Sequence, residues 1–305
     1  MTDYGFIGLG SMGSPMAAHL AELGRSEGNS LTVWNRSPGR DEHLAALGVT
    51  TAGSPRELVA ACDVVVLMLP DLPQIEELTD GDEHFLGDVA SATVLVICSS
   101  VSPQGVRRYA DHVEELTGGL VRVVDAPVSG GAEGAAAGSL AIMAGGTDDA
   151  VGTVWAALMS MGSTVRHVGG IGAGSLVKAC NQMVVAATLI ALSEATALAE
   201  SAGVSVPALL DILAGGFGAS RVLEVKSSHL ISQTYAPTGA AKYMVKDLAF
   251  VRAEAESTGS VLPQADLSSS LFDDVVDAGL GDLDVSVVHA IVRGHAGPTA
   301  AQTVS

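Results

Sequence analysis

Three glycines at the start of the chain constrain its fold more than any other feature. In "YGFIGLGSMGSPMAAHLAEL" (4–23), Gly8, Gly10 and Gly13 follow a short apolar run and open a helical pattern. At such a spacing the first glycine permits a tight turn. The second lets the backbone approach a ligand, and the third lets helix and strand pack closely. Free N–H groups at a helix N-terminus face an anion. The turn Gly8–Gly13, with Ser11 and Met12 between the glycines, is therefore a candidate pyrophosphate-binding loop. An ordinary glycine-rich turn is the alternative.

A second apolar run, "LTVWN" (31–35), ends in Asn35-Arg36-Ser37, with Arg40 close behind. A carboxylate at this strand end holds a ribose 2′-hydroxyl, whereas a guanidinium suits a 2′-phosphate. Asn35, Arg36 and Ser37 thus point to NADP before NAD, with a solvated Arg36 as the alternative. The interval from Gly8 exceeds the usual ~20 residues, and the polar insertion "GRSEGNS" (24–30) accounts for the excess.

Strand and helix signals alternate through the first half of the chain. Strands are expected at 4–8, 31–35, 63–70, 93–100, 121–130, 140–146 and 164–170. Helices are expected in "MAAHLAEL", "EHLAAL", "SPRELVAAC" and "SPQGVRRYADHVEEL", the last opened by Ser-Pro. Such alternation argues for a parallel sheet covered on both faces. After Gly170 helical patterns dominate: 174–202, "VPALLDILAGG", "AKYMVKDLAFVRAEAEST" and "LSSSLFDDVVDAGL". The expected division is 1–170 and 171–292, parted near "GGIGAG" (169–174). The tail 293–305 lacks periodicity and is expected to be unstructured.

The net charge is −19, from 34 acidic and 15 basic residues, which argues against nucleic acid and anionic membrane surfaces as partners. Cys62, Cys98 and Cys180 sit singly in apolar runs and read as buried, reduced thiols of a cytoplasmic protein. No metal-ligand spacing is present. "MTDYGFIG" lacks a basic n-region, so no signal peptide is expected. The helix at 174–202 is apolar enough to raise the question of a membrane. Its polar positions, Lys178, Asn181, Gln182, Ser193, Glu194 and Glu200, argue for a buried soluble helix.

The chain has only four lysines, Lys178, Lys226, Lys242 and Lys246. Lys178 lies in the early turns of that long helix, with Asn181 and Gln182 three and four residues on, on the same face. The helix N-terminus disfavours its charged form. A lysine so placed exchanges a proton with an alkoxide near neutral pH. A snorkelling surface lysine is the alternative. "DAPVSGG" (125–131) puts Ser129, Gly130 and Gly131 after a strand end, where consecutive N–H groups suit a carboxylate. Alone, "VSGG" also reads as a simple turn.

In order, "GFIGLGSMGSPMA", "LP" (69–70), "SSVSP" (99–103), "DAPVSGG", "GAGSLVKACNQ" and "KDLAF" (246–250) cover nearly the whole chain. Together they resemble the β-hydroxyacid dehydrogenases, the family of 3-hydroxyisobutyrate dehydrogenase and tartronate semialdehyde reductase. The resemblance implies an α/β Rossmann domain with a mainly parallel sheet, then an all-α domain joined by a long interdomain helix. It implies NAD(P)-linked interconversion of a small 3-hydroxy acid and its aldehyde or ketone, in homodimers or homotetramers. Lys178 becomes the catalytic lysine. Ser129, Gly130 and Gly131 bind the substrate carboxylate, and Asn181 and Gln182 orient the substrate. Leu69, Pro70 and Ser100 flank the cofactor, Ser100 in place of a threonine. Lys246 and Asp247 close the site from the helical domain. Where the family often carries an aspartate before "ST", this chain reads Ile97-Cys98-Ser99-Ser100. The loop "GGFGASR" (215–221) is expected at the substrate pocket, with Arg221 either holding a second anion or facing water.

Two other functions fit parts of the pattern. An NADPH-dependent imine reductase shares the glycine turn and the Arg36 region, but such enzymes typically lack the lysine and the "VSGG" site. A non-catalytic dinucleotide-binding scaffold has no use for Lys178 beside Ser129 and Asn181. The chain is too short for the large helical domain of a 6-phosphogluconate dehydrogenase.

Overall fold

The apolar runs of the first half become strands because their alternate residues serve two cores. A computed structural model describes residues 2–294 of the chain, so the expected unstructured tail lies, from residue 295 on, outside the described residues. The chain forms two compact units, Met1–Lys178 and Ala179–Ser305.

The strands of the first unit are β1 (Tyr4–Ile7), β2 (Leu31–Trp34), β3 (Thr50–Thr51), β4 (Val64–Leu67), β5 (Thr93–Ile97), β6 (Val121–Asp125), β7 (Val128–Ser129), β8 (Leu140–Gly145) and β9 (Gly162–Gly169). The helices among them are α1 (Gly13–Glu27), α2 (Pro55–Ala60), α3 (Leu72–Asp80), α4 (Pro103–Thr117), α5 (Gly131–Ala136) and α6 (Asp148–Met161). The sheet order is β3-β2-β1-β4-β5-β6-β8-β7, with β9 on β8. Pairing from β3 to β6 is parallel, β8 runs antiparallel to β6 and β7, and β9 is parallel to β8. The mainly parallel doubly wound sheet is thus present.

Residue alternation along β4 shows how it is covered. Val64 and Val66 join Met16 and Leu20 of α1 and Val154 and Leu158 of α6 on one face. Val65 and Leu67 join Leu58 of α2, Ile75 of α3 and Val106 of α4 on the other. Ser54 and Ser102 cap α2 and α4 by accepting the N–H groups of Glu57 and Gly105, as their Ser-Pro starts predict. The run 121–130 is split at Ala126-Pro127 into β6 and β7, because proline has no N–H for the ladder. "EHLAAL" forms a 3₁₀ turn, not an α-helix, and ends at Gly48 with φ 75°.

The second unit continues the long helix α7 (Ala173–Ser201) into α8 (Val206–Ala214), α9 (Arg221–Ser232), α10 (Lys242–Thr258), α11 (Pro263–Asp277) and α12 (Val288–Val292). Its core joins Leu189 and Ile190 of α7 to Met244 and Leu248 of α10, Phe272 of α11 and Val288 of α12. Among the described residues α7 is the one helix long and apolar enough to cross a membrane, and 39% of its most apolar window is buried. The expectation of a buried helix is therefore met on one face only. Val184 and Leu198 are exposed on the other. Cys180 is exposed as well, which corrects its reading as a buried thiol. It falls on the outward side of α7, on one stripe with the exposed Leu176 and Val184 four residues either way. Cys62 and Cys98 are buried, and burial pushes both thiols up to about 12.

The second unit is pinned by one carboxylate. Asp284 is fully buried. It accepts hydrogen bonds from Lys226 Nζ at 2.7 Å, Thr238 Oγ1 at 2.6 Å, and Ser286 Oγ and N–H at 2.6 and 3.0 Å. His229 Nδ1 lies 3.2 Å away. Burial alone raises its pKa, but the bonds from Lys226, Ser286 and Thr238 hold the carboxyl well below the usual carboxylate range. A depressed native value gives stability that is present above the unfolded pKa and is lost as pH falls toward the folded one. Asp284→Asn should lower unfolding stability by about 3–5 kcal/mol, the effect of breaking a buried ion pair. It should also flatten the acid dependence below about pH 4, near the unfolded carboxylate pKa. Urea midpoints at pH 7 and pH 3 measure both.

Candidate functional site

The three glycines of the first turn do different work. Gly8 has φ 103°, and a Cβ there would lie 2.3 Å from the Met68 carbonyl oxygen. A Cβ on Gly13 would lie 1.9 Å from the Gly8 oxygen, so the start of α1 rests on the end of β1. A Cβ on Gly10 would meet nothing within 4 Å, which marks the open side of the loop. Met12, at the N-cap of α1, provides no side-chain cap. The first-turn N–H groups, with Ser11 and Met12 in the turn, suit an external anion. The loops after β1 and β4 flank the point where strand order reverses, the usual ligand crevice of such sheets. The residues present therefore fit a dinucleotide.

Asn35 has a role that its sequence position did not suggest. Its Oδ1 accepts the N–H of Leu9 at 2.8 Å, and its Nδ2 donates to the Ser37 carbonyl at 2.8 Å. It ties the glycine turn to the loop after β2. Arg36, Ser37 and Arg40 are exposed on that loop. His43, unremarked in sequence, follows them with Nε2 2.6 Å from Ser14 Oγ on α1. A second missed pin is Ser99, whose Oγ accepts the Leu69 N–H at 3.1 Å and donates to the Leu69 carbonyl at 2.6 Å. It joins the loop carrying Leu69 and Pro70 to the one carrying Ser100.

Also in the first unit are Ser129, at the end of β7, and Lys178 on α7. Gly130 and Gly131 have φ 141° and 64°, conformations that favour glycine, so the start of α5 is held to this residue type. Lys178 is only 9% exposed. It sits five residues beyond the start of α7. That start is held by Asp125, which sequence reading placed in "DAPVSGG" without a role. Asp125 is fully buried. Its Oδ1 accepts the N–H of Gly172 at 2.7 Å and its Oδ2 that of Ser175 at 2.6 Å.

The second unit carries the remaining candidates as a connected group. Asn181 Nδ2 donates to Gln182 Oε1 at 3.1 Å, and Gln182 Nε2 donates to Asp247 Oδ2 at 2.8 Å. Asp247 is 5% exposed, and Lys246 Nζ lies 3.9 Å from its Oδ1 and 5.4 Å from the Phe250 ring centre. Gln182 is thereby engaged in linking α7 to α10. Arg221, from the expected pocket loop, pairs with Glu224 and its side chain is 71% exposed, so it faces water. No group of three or more His, Cys, Asp or Glu among the described residues is placed to hold a metal.

Comparison with known proteins places this geometry. Residues 3–169 match the NAD-binding domain of 6-phosphogluconate dehydrogenase. Residues 172–292 match the NAD-binding domain of NADP-dependent 3-hydroxyisobutyrate dehydrogenase. The chain is 36% identical to 2-hydroxy-3-oxopropionate reductase of Escherichia coli, over 93% of this chain and 94% of the other. It is 33% identical to an NAD-dependent L-serine dehydrogenase of Pseudomonas aeruginosa, covering 95% and 98%. The structure of Mycobacterium tuberculosis 3-hydroxyisobutyrate dehydrogenase with L-serine superposes with a TM-score of 0.81 at 31% identity, covering 96% and 99%. The chain belongs to the β-hydroxyacid dehydrogenase family and is an NAD(P)-dependent hydroxyacid dehydrogenase.

The geometry around Asn35 separates a pin from a ribose reader. Asn35→Ala removes both of its bonds and leaves the N–H of the buried Leu9 unpaired, at a cost of about 1–3 kcal/mol. Binding of NAD and of NADP should weaken together, with their ratio unchanged within about twofold. Fluorescence titration with each reduced cofactor reads the ratio, and a changed ratio would show Asn35 contacting the ribose directly.

Proposed function

We propose that this chain interconverts a small 3-hydroxy carboxylic acid and its aldehyde or ketone with NADP, in the manner of 3-hydroxyisobutyrate dehydrogenase. Lys178 is the acid and base. The observation that carries the reading is a lysine 9% exposed, in the second turn of a helix whose start is bonded to the sheet that also carries Ser129. Ammonium groups are rarely so shielded without a paired or chemical role. The relatives' named substrates share a carboxylate one carbon removed from a carbon bearing oxygen, which suits Ser129, Gly130 and Gly131 as the carboxylate site. Asn181 orients the same substrate.

A bound nicotinamide accepts or supplies the hydride. Lys178 takes the hydroxyl proton during oxidation and returns it to the carbonyl oxygen during reduction. Lys178→Ala should lower kcat by roughly 10²–10⁴, the usual worth of a positioned acid or base, with KM changed less. A variant retaining near-native kcat on a good substrate would remove Lys178 from the chemistry.

Arg36, Ser37 and Arg40 support the choice of NADP. They lie exposed at the end of β2, and no carboxylate occupies the position of Asn35. One relative is named for NAD and one matching family for NADP, so the chain's own residues must decide. A charge-assisted bond from Arg36 to a 2′-phosphate contributes about 1.5–3 kcal/mol, or roughly 10- to 150-fold in preference. That preference should shrink with added salt, because the site is open to solvent. Arg36→Ala should remove most of it. The measurement is kcat/KM for both cofactors with native and variant protein, and equal use of NAD by the native chain would overturn the assignment.

A further inference from the structure

The start of α7 is locked more tightly than a helix start needs to be. Asp125 ends β6, paired with Ile97 on one side and Gly145 on the other. A Cβ on Gly174 would lie 2.2 Å from the Met143 carbonyl oxygen and 2.5 Å from that of Asp125. A Cβ on Gly145 would lie 2.4 Å from Asp125 Oδ1 and 2.7 Å from the Gly174 nitrogen. Backbone meets backbone here, with the carboxylate wedged beside it. Lys178 follows Ser175 by three residues, less than one turn and about 4.5 Å along the axis. A shift of the first turn is therefore passed to the lysine almost undiminished.

We propose that Asp125 is a positioning residue: by accepting the N–H groups of Gly172 and Ser175, its carboxylate fixes the first turn of α7 and so sets where Lys178 meets the substrate oxygen. This rests on the reading of Lys178 given above. A negative group also suits the positive end of a helix. Its backbone partners are N–H donors, one on each carboxylate oxygen, so the clamp uses both oxygens as acceptors. Protonation adds a donor and makes the carboxyl a weaker acceptor, which loosens its hold on the two N–H groups. Burial pushes the carboxyl up to about 6, against the opposing hydrogen bonds from Ser175 and Gly172. On this proposal the clamp should loosen as pH falls below neutral.

The charged neighbours on the packed elements are few. Arg107 of α4 lies against Gly172. His167 of β9 bonds to the carbonyls of Gly146 and Gly169, with Asp148 of α6 at 3.5 Å. Lys178 is on α7 itself. In the reduction direction protonated Lys178 is the donor, so its own titration removes activity only on the alkaline side. A fall in kcat on the acid side near pH 6 is then the signature of Asp125. Histidine titrates in that region as a residue type, so His167→Gln is the control and should keep the acid limb.

The test is the kcat–pH profile for reduction, with hydrogen exchange of residues 173–178 read in parallel. Asp125→Asn keeps one acceptor and sets an amide N–H₂ against the other N–H. It should lower kcat about 10- to 100-fold, the scale of a displacement near 1 Å, and change KM less. It should abolish the acid limb and speed exchange in the first turn. On the native chain alone, protection of residues 173–178, corrected for intrinsic rates, should fall between pH 7.5 and pH 5, which serves if the variant does not fold. Unchanged protection overturns the clamp. A kcat within twofold of native with the acid limb retained overturns the positioning. A fully active Lys178→Ala variant instead overturns the reading of Lys178, while the exchange data still judge the clamp by itself.

Discussion

Two helix N-termini pressed onto strand ends by glycine define what the first unit can do. At the start of α1, Gly8 and Gly13 leave no room for a Cβ, and at the start of α7 Gly145 and Gly174 leave none either. In both places a row of N–H groups is brought to the carboxyl end of a parallel strand. The two differ in who answers the positive end. At α1 no side chain caps the helix, and the open face at Gly10 leaves room for an external anion. At α7 the chain supplies its own anion, Asp125. The same local physics thus makes a binding site at one helix and a fixed support at the other.

That division explains how so acidic a chain handles anionic reactants. With a net charge of −19 it gains no general attraction for them. Under the proposed function, attraction would come from backbone N–H groups and from a few placed cations. Arg36 and Arg40 stand exposed after β2, and Lys178 is shielded on α7. Lys226 is committed to Asp284 within the second unit.

Much of this was legible in sequence, and the reason is chemical. Backbone crowding can be written only as glycine, so "GLGSMG" and "VSGG" announced their turns, and Ser-Pro announced α2 and α4. Alternating apolar runs announced the two-faced sheet. What stayed hidden was every role set by a distant partner. Asp125 meets N–H groups 47 and 50 residues away, and Asn35 meets one 26 residues away. Neither separation leaves a local pattern, so the bonds by which Asn35 pins the glycine turn and Asp125 holds the start of α7 could not be read from the sequence. The exposed Cys180 misled for a related reason: an apolar run gives the type of helix but not which side packs. Helix α9 lacked a strong apolar stripe, and its Ser220 cap, accepting the Leu223 N–H, is visible only in the fold.

The two buried carboxylates show how partners decide the use of a charge. Asp125 and Asp284 are equally inaccessible to water. Asp284 receives an ammonium, two hydroxyls and an N–H, and its carboxyl stays ionised well into acid. Asp125 receives two backbone N–H groups, which do not fully offset burial, and it is pushed up to about 6. Sign follows from this. Between the ordinary carboxylate pKa and about 6, the native protein binds a proton on Asp125 that the unfolded chain does not. Ionising Asp125 therefore draws on the stability of the fold as pH rises, whereas ionised Asp284 adds to it. A group kept only for stability would be the better for losing that burden, by neutral replacement or by a cation beside it. Asp125 remains a carboxylate, and it stands at the foot of the helix that bears Lys178.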